Sequence, residues 1–502
     1  GPTAARAHRV DALLLAVLVT GAALRIWHLE GQSLWYDEWL SAQAVSGGVE
    51  HVLHHVANRE GIAPTYFLIL WGWVRLFGDG AGAMRALSVL IGTATIPLAY
   101  AIALELRQRR AAARIAALLV AVNPMLVWYS QEARPYSLVA FLGALSFCAF
   151  SRVRNSGRPK DLYWWGLICA SALAVHYFAA FIVLAEGIAL LASRRFHWRQ
   201  LLLSCVPGVV VVVGLLPIAL HQYSHAANHQ WIAAFALRYR LTEAVRATVV
   251  GPGPPNTDLA LVGGIVVAGI AVLIVGWGSR DERSAAGLCA AIAGGAVAIS
   301  LLAVRLGIDV LLGRYLIASL VPLIVAVSVG LAVRRARWVG AVALAVLCAI
   351  SLTTVESVAR DPQVQKPDWH AVAQVFANGR SNRLLILNRG GDIASPLLYY
   401  LNDVKLLGAD EPAVVTEIDV LTAKPSKKFC NLLVGMACGF IFLGGPLPEP
   451  VSHQFQLRER HELDQFRIDR YIAPSPVVVR LPQLVAPQNV PVSLAIVTKA
   501  AV

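Results

Sequence analysis

The sequence predicts a mainly α-helical membrane protein: a polytopic bundle of about eleven transmembrane spans, interfacial helices in its first outer loop, and a small C-terminal α/β domain. Of its 502 residues, 57% are hydrophobic and 15% are charged, and the mean hydropathy is +0.62. A soluble protein could not bury this much apolar surface. Apolar runs of about 17–22 residues, the length that crosses a bilayer, recur at 10–28, 86–104, 114–130, 137–151, 163–177, 178–193, 201–219, 258–277, 285–304, 315–333 and 338–355.

Basic residues give these spans an orientation. With a cytoplasmic N-terminus, Lys and Arg outnumber Asp and Glu in the inner loops, for example at 107–114, 152–160 and 334–337. This is the pattern of the positive-inside rule, and an odd number of spans then places the C-terminal stretch outside. The formal net charge of +13 therefore indicates membrane topology, and no nucleic-acid partner is expected.

Two domains are predicted, a transmembrane domain at 1–355 and an extracytoplasmic α/β domain at 356–502. Within the second, 383–388 and 477–481 have the composition of strands and 396–401 that of a helix. Of the seven cysteines, only Cys430 and Cys438 lie in this domain. Exported domains tolerate disulfides, and whether these two are bridged is left open.

The first outer loop, 29–85, contains a short apolar and aromatic stretch at 63–77. We predict an amphipathic helix along the outer interface, because a crossing there would put the basic segment 107–114 outside. Tyr66 and its neighbouring tryptophans would anchor it at headgroup depth and form a shelf for an amphiphilic lipid. The alternative is an ordinary aromatic belt.

Asp37 and Glu38 are adjacent, directly after the first apolar run. Two carboxylates next to a bilayer are costly to keep, and a carboxylate can accept a proton from a nucleophile. This pair is the predicted catalytic centre.

A second polar cluster follows the third predicted span, in Tyr129-Ser130-Gln131-Glu132-Ala133-Arg134-Pro135-Tyr136-Ser137. Arg134 suits a phosphate because its planar fork donates two parallel hydrogen bonds and keeps its charge. The alternative is a local ion pair between Glu132 and Arg134. Further candidates on the outer side are His54, His55, Arg59, Glu60, His176, Arg314 and Tyr315.

Two other features carry less weight. His221, His225 and His229 are spaced four apart and would share a helix face, as in a transition-metal site, but no carboxylate or cysteine accompanies them. Glu186 is the one acid within a predicted span and is expected to face the bundle interior and bind a polar group. The sequence has no dinucleotide-binding glycine motif, no P-loop and no CxxC pair.

The segments 33–41, 60–77 and 128–138 together resemble the GT-C class of membrane glycosyltransferases. Within it, the chain is most similar to the branch of protein O-mannosyltransferases, aminoarabinose transferases and rhizobial galacturonic-acid transferases. The resemblance rests on Trp35-Tyr36-Asp37-Glu38, on Pro64-Thr65-Tyr66-Phe67 and on the Gln-Glu-Ala-Arg-Pro-Tyr run at 131–136, with weaker support from Arg314-Tyr315-Leu316.

The resemblance implies an inverting transfer of a sugar from a polyprenyl-phosphate donor to an acceptor at the outer face of a bacterial inner membrane. The acceptor would be the lipid A or lipopolysaccharide core, another glycolipid, a polysaccharide or a protein. Asp37 would be the general base and Glu38 would orient the acceptor or sugar. Arg134, with Arg59 or Arg314, would neutralise the lipid phosphate.

Such a reaction requires no cofactor, and a divalent metal is neither indicated nor excluded. Two alternatives remain, a non-catalytic polyprenyl-lipid binding protein and a secondary transporter. Secondary transporters typically have internal repeats and helices broken at mid-membrane. The sequence indicates neither feature. The binding-protein alternative would have no need of Asp37.

Overall fold

The computed structural model divides into two compact units. The first holds the described residues of 11–29, 41–252 and 257–356, and the second those of 30–40 and 357–498. The described residues are 11–224, 232–233, 235–252, 257–379, 382–387, 396–401, 403–408, 411–424, 451–480 and 494–498.

The first unit is a helical bundle, as predicted. Within the described residues, seven helical segments are long and apolar enough to cross a membrane, and a bent pair gives an eighth if it counts as one span. Every predicted apolar run forms helix, but the predicted count of about eleven spans is not confirmed. Three of these runs form apolar helices shorter than 18 residues. At 1.5 Å per residue, they are at or below the lower limit of the roughly 17–25 residues with which a helix usually crosses the hydrocarbon layer.

Most of the first unit's α-helices follow one another through short connections. The segment Gly313–Ser319 is a 3₁₀ helix that leads directly into α15. The helices are α1 (Ala12–Ile26), α2 (Tyr36–Val45, starting in the second unit), α3 (Val49–Arg59), α4 (Thr65–Phe77), α5 (Ala81–Glu105), α6 (Arg110–Val122), α7 (Pro124–Ser130), α8 (Tyr136–Ser156), α9 (Pro159–Val175), α10 (Ala180–Ala192), α11 (Trp198–Ser224), α12 (Leu237–Val250), α13 (Thr257–Trp277), α14 (Arg280–Arg305), α15 (Leu320–Leu331) and α16 (Arg337–Arg360).

The stretch predicted to lie along the interface forms α4, which has 13 residues and is too short to span. Its two tryptophans bind backbone: Trp71 Nε1 donates to Gly47 O at 2.9 Å, and Trp73 Nε1 donates to Ala83 O at 2.7 Å. These indoles fix α4 to its neighbours in the chain. Its placement along a membrane interface stays a prediction.

The bend between α6 and α7 has a local cause. Asn123 caps α7 and Pro124 is its first residue, and the two helices meet at 54°. A proline at this position cannot continue the ladder of the preceding helix. The buried Arg25 fills the gap, donating to Ala121 O at 2.9 Å and to Ser130 Oγ at 3.1 Å.

Glu186 faces the interior of the bundle and has polar partners, as predicted. It lies in the middle of α10 and is fully buried. Its Oε2 accepts from Trp165 Nε1 of α9 at 2.7 Å, and its Oε1 accepts from Ser146 Oγ of α8 at 3.1 Å. The acid thereby connects three consecutive helices.

Among its described residues, the second unit contains a six-stranded sheet in the order β2-β6-β1-β3-β5-β4, in which β1 and β3 are the only parallel pair. The described residues of the two predicted strands, 383–387 and 477–480, fall in β1 and β5, and the predicted helix at 396–401 contains α18. The elements are α17 (Trp369–Ala377), β1 (Arg383–Leu387), α18 (Leu397–Tyr400), β2 (Val404–Leu406), β3 (Pro412–Ala423), β4 (Gln456–Glu462), β5 (Phe466–Arg480) and β6 (Leu494–Thr498).

Both faces of this sheet are buried around β1. Leu385 packs with Trp369 and Phe376 of α17 on one face, whereas Leu384 and Ile386 belong to a second cluster on the other face. Alternate residues of a strand point to opposite faces, so a continuous apolar run such as β1 requires cover on both sides. The first residues of α17 are thereby fixed to the sheet.

Candidate functional site

The predicted catalytic pair lies in the first turn of α2, where the helix dipole favours acidic side chains. The two carboxylates have different surroundings. Asp37 is half-buried, whereas Glu38 is fully buried. Glu38 Oε2 accepts a hydrogen bond from Lys366 Nζ at 3.2 Å, and the Lys366 side chain is only 8% exposed.

The segment just before α2 belongs to the second unit and is fixed within it by hydrogen bonds. Ser33 Oγ donates to Asp368 Oδ1 at 3.0 Å and accepts from the backbone N–H of His370 at 2.9 Å. The backbone N–H of Leu34 donates to Tyr400 Oη at 2.7 Å. The start of α2 is therefore held by the beginning of α17 and by α18.

Arg134 lies in the first unit and forms a buried, bidentate ion pair. Its Nη1 donates to Glu60 Oε1 at 2.7 Å and its Nη2 to Glu60 Oε2 at 2.9 Å, and Nη1 also donates to Ser41 Oγ at 3.2 Å. The guanidinium lies 5.6 Å from the centre of the Phe67 ring. The pair links the end of α3 to the turn between α7 and α8, across 74 residues of sequence. The alternative interpretation of the sequence was a local pair of Arg134 with Glu132.

The other polar residues of 129–137 each have an identifiable partner. Glu132 Oε1 accepts from Trp128 Nε1 at 2.7 Å, and Gln131 Nε2 donates to Trp27 O, just after α1, at 2.7 Å. The Tyr136 ring packs on Tyr129 with centroids 4.8 Å apart. This polar cluster therefore organises the ends of several helices.

Arg314, Tyr315 and Tyr136 come together with His176. The Arg314 guanidinium lies 5.7 Å from the Tyr136 ring centre and 5.4 Å from that of Tyr315. The His176 ring lies 6.0 Å from Tyr136 and 5.7 Å from Tyr315. His176 Nδ1 accepts from the backbone N–H of Phe178, so a neutral His176 carries its proton on Nε2.

The segment carrying Arg314 is held from two sides. A Cβ added at Gly143 of α8 would lie 2.5 Å from Ala318 O, so this close approach requires glycine. On the other side, the buried Arg240 donates to both carboxylate oxygens of Asp309, at 2.5 and 2.9 Å. A guanidinium and carboxylate in this bidentate geometry strongly fix their backbones.

The remaining candidates lie on or near α3. His55 is half-buried, and its burial, with the neighbouring charges of His51 and Arg59, lowers its pKa to about 4. Arg59 is exposed at the end of α3. The Tyr66 ring is fully buried and packs edge-on against Phe67 at 5.5 Å.

The predicted metal and disulfide positions lie largely outside the described residues. His225, His229, Cys430 and Cys438 are all outside them. His221 Nε2 lies 3.0 Å from Asn58 Oδ1. Among the described residues, no group of three or more His, Cys, Asp or Glu is arranged to hold a metal ion.

Sequence reasoning missed Lys366. It lies in a polar stretch, and nothing in its neighbours indicates a partner more than 300 residues away. The adjacent Asp368 gives a readable local signal, since Asp before an apolar helix is a common N-cap, and Asp368 does cap α17. That signal predicts the helix and says nothing about Glu38.

The helical bundle followed by an α/β unit has the fold of the GT-C glycosyltransferases. The structure is similar to the crystal structure of ArnT from Cupriavidus metallidurans bound to undecaprenyl phosphate, with a TM-score of 0.52 and 12% sequence identity over 95% of this chain and 99% of that chain. At this identity, the likeness establishes the fold.

Residues 62–223 match the family described as dolichyl-phosphate-mannose-protein mannosyltransferase. Protein O-mannosyl-transferase 1 of Mus musculus is 27% identical over 248 residues, covering 42% of this chain and 33% of the relative. The Homo sapiens protein of the same name is 31% identical over 124 residues, covering 23% and 16%. The predicted resemblance is confirmed over this part of the chain, which spans a third or less of these relatives' length.

Proposed function

We propose that this integral membrane protein is an inverting glycosyltransferase that moves a sugar from a polyprenyl-phosphate donor to an acceptor on the outer face of the membrane. The observation that carries the proposal is the match of residues 62–223 to a mannosyltransferase family whose described substrate is a polyprenyl-phosphate sugar. The matched stretch contains Arg134 and Tyr136. The acceptor is a glycolipid such as lipid A, a polysaccharide or a protein.

The proposed general base is Asp37. The acceptor oxygen attacks the anomeric carbon, the bond from that carbon to the phosphate oxygen breaks, and the hydroxyl proton passes to Asp37. General-base catalysis of this kind contributes about 10²–10⁴-fold in rate. Glu38 is less suited to the task, because it is fully buried and its charge is compensated by Lys366; its role is to orient the acceptor or sugar.

The departing lipid phosphate requires positive charge, and two arginines are proposed to supply it. Arg314 is half-buried and supported by aromatic rings, so an anion can approach it. At Arg134, a phosphate would compete with Glu60 for the same two nitrogens. Charge oriented in advance towards developing charge is usually the largest catalytic contribution.

The proposed location is a bacterial inner membrane, with a cytoplasmic N-terminus and a periplasmic second unit. The excess of Lys and Arg in the predicted inner loops supports it. Because polyprenyl phosphate is already an activated leaving group, no metal is required in the proposed reaction, and a chelator is expected to leave the rate unchanged.

The test uses the purified protein with polyprenyl-phosphate-linked mannose, aminoarabinose and galacturonic acid, each offered with lipid A, oligosaccharide and peptide acceptors. We expect free polyprenyl phosphate and a product whose anomeric configuration, read by NMR, is opposite to that of the donor. Retained configuration would contradict inversion. Donor binding without turnover would favour the lipid-binding alternative, and sugar uptake into proteoliposomes would favour the transporter.

A further inference from the structure

We propose that Lys366 is a positioning residue for the Asp37–Glu38 pair: it neutralises the buried Glu38 and thereby fixes the first turn of α2, which carries Asp37. This inference rests on the proposed function for its catalytic part. It assigns to the second unit a direct part in arranging the base.

The ion pair has the geometry that this role requires. Lys366 Nζ donates to Glu38 Oε2 at 3.2 Å, with side-chain exposures of 8% for Lys366 and 0% for Glu38. The ammonium also lies 5.7 Å from the centre of the Trp35 ring, a distance at which a cation is attracted to an indole face. Lys366 thus contacts residues on both sides of Tyr36, the first residue of α2.

The backbone around Lys366 is joined to the same segment. The backbone N–H of Lys366 donates to Gln32 Oε1 at 3.2 Å. Two residues further on, Asp368 accepts from Ser33 and also caps α17. Hydrogen bonds of the Lys366 backbone and of the Asp368 side chain therefore hold Lys366 next to the segment before α2. Its contact with Glu38 does not depend on the side chain alone.

The physical consequence follows from burial. Removing one partner of a buried ion pair leaves an uncompensated charge, which is far costlier than replacing both partners by neutral groups. Without Lys366, Glu38 loses the cation of this ion pair, and we expect its carboxylate to shift within the first turn of α2. A shift of that turn moves Asp37, and a misplacement of about 1 Å at a reacting group costs on the order of 100-fold in rate.

The test compares Lys366→Met, Lys366→Arg, Glu38→Gln and the double variant Glu38→Gln/Lys366→Met in the full-length protein. The matched control is Lys405→Met, which breaks an ion pair with Glu411 of the same unit. That pair is 2.6 Å long and more than a third exposed on both sides. A surface pair of this kind contributes little, so the control is expected to behave as wild type.

We expect Lys366→Met to lower kcat about 100-fold and to leave the donor KM nearly unchanged, with partial rescue in Lys366→Arg. In the Glu38→Gln background, removal of Lys366 should change kcat by no more than about twofold, the usual scatter between independent sites. A full 100-fold loss in that background, or wild-type kcat in Lys366→Met, would overturn the proposal.

Hydrogen exchange of residues 34–40 gives a readout that needs no turnover. We expect faster exchange of these amides in Lys366→Met and unchanged exchange in Lys405→Met. Unchanged exchange in Lys366→Met overturns the positioning role whatever the activity is. If wild type transfers no sugar, the proposed function fails, and the exchange experiment still decides whether Lys366 holds the segment.

Discussion

The Arg134–Glu60 pair provides the sharpest test of the energetics of the first unit. The perturbation is Arg134→Met, which removes the guanidinium and leaves the Glu60 carboxylate buried. Both side chains are about 95% buried, and two hydrogen bonds of 2.7 and 2.9 Å join them. Breaking a buried pair from one side costs about 3–5 kcal/mol, and losing the contact with the Phe67 face adds about 0.5–1 kcal/mol.

The expected result is a free energy of unfolding lower by about 3.5–6 kcal/mol, the sum of these two contributions. Glu60→Gln should cost less than Arg134→Met, because its amide oxygen still accepts one of the two hydrogen bonds. The double variant Glu60→Gln/Arg134→Met should be more stable than Arg134→Met alone, since no buried charge is left without its partner. Arg134→Lys should recover part of the loss, as an ammonium keeps the charge without the fork.

The assay is unfolding of the detergent-solubilised protein by titration with SDS, combined with turnover of the polyprenyl-phosphate donor. Donor turnover should rank the variants in the same order as their free energies of unfolding, with Arg134→Lys between wild type and Arg134→Met. If the losses in unfolding free energy of the two single variants add up to that of the double variant, the two residues are not coupled and the reasoning from burial is wrong. Full donor turnover in Arg134→Met would remove Arg134 from the list of phosphate contacts and leave Arg314.

Three further predictions concern the base, the topology and a titrating histidine. Asp37→Asn should abolish sugar transfer while leaving the SDS unfolding curve and donor binding close to wild type, because the amide is nearly isosteric but accepts no proton; wild-type turnover would require another base. In a background lacking the native cysteines, a membrane-impermeant thiol reagent should label the exposed positions of Asp79→Cys and Ser475→Cys, but not that of Ser156→Cys; the reverse pattern would invert the orientation. Folding lowers the pKa of His55 from 6.5 to about 4, so between these pH values the unfolded chain binds more protons than the folded protein. The free energy of unfolding is therefore highest above pH 6.5 and falls as the pH is lowered towards 4. His55→Gln should flatten this part of the curve of stability against pH, and an unchanged curve would contradict the burial of His55.

The helices of the first unit could be read from the sequence because each apolar run has to satisfy its own backbone hydrogen bonds. All the predicted runs are helical, yet length decides whether a helix spans, and sequence alone sets helix ends poorly. The 114–130 run shows the difficulty. It is one apolar stretch, but Asn123 and Pro124 split it into α6 and α7 at 54°.

In the second unit, the buried strands were predictable and the polar ones were not. β1 is a run of Leu and Ile, whereas β4 reads Gln-Leu-Arg-Glu-Arg-His-Glu and is mostly exposed. Such an edge strand has little apolar pattern to detect, and its pairing with β5 is a property of the fold. The sheet order could not be derived, because β6 lies between β1 and β2 although it comes last in the chain.

The residues of the candidate site were also predictable only in part. Residue types with an evident chemical use, such as Asp37 and Arg134, could be selected because they are unusual in an apolar chain. The ion pairs that hold the site together could not be predicted from the sequence. Glu60 was one of many polar residues in the first outer loop, and Lys366 is separated from Glu38 by 328 residues. Which charges compensate each other is decided by packing, and no local pattern records it.

The buried Glu186 has a consequence for how the chain enters the membrane during synthesis. An ionisable side chain at the centre of an apolar helix opposes insertion by about 2.5–3.5 kcal/mol. Both of its hydrogen-bond donors, Ser146 and Trp165, precede it in the chain, so they are already in place when the ribosome reaches α10. We therefore expect α10 to insert as a hairpin with α9 rather than alone, and Trp165→Phe to reduce its insertion at the translocon even though the change lies on a neighbouring helix.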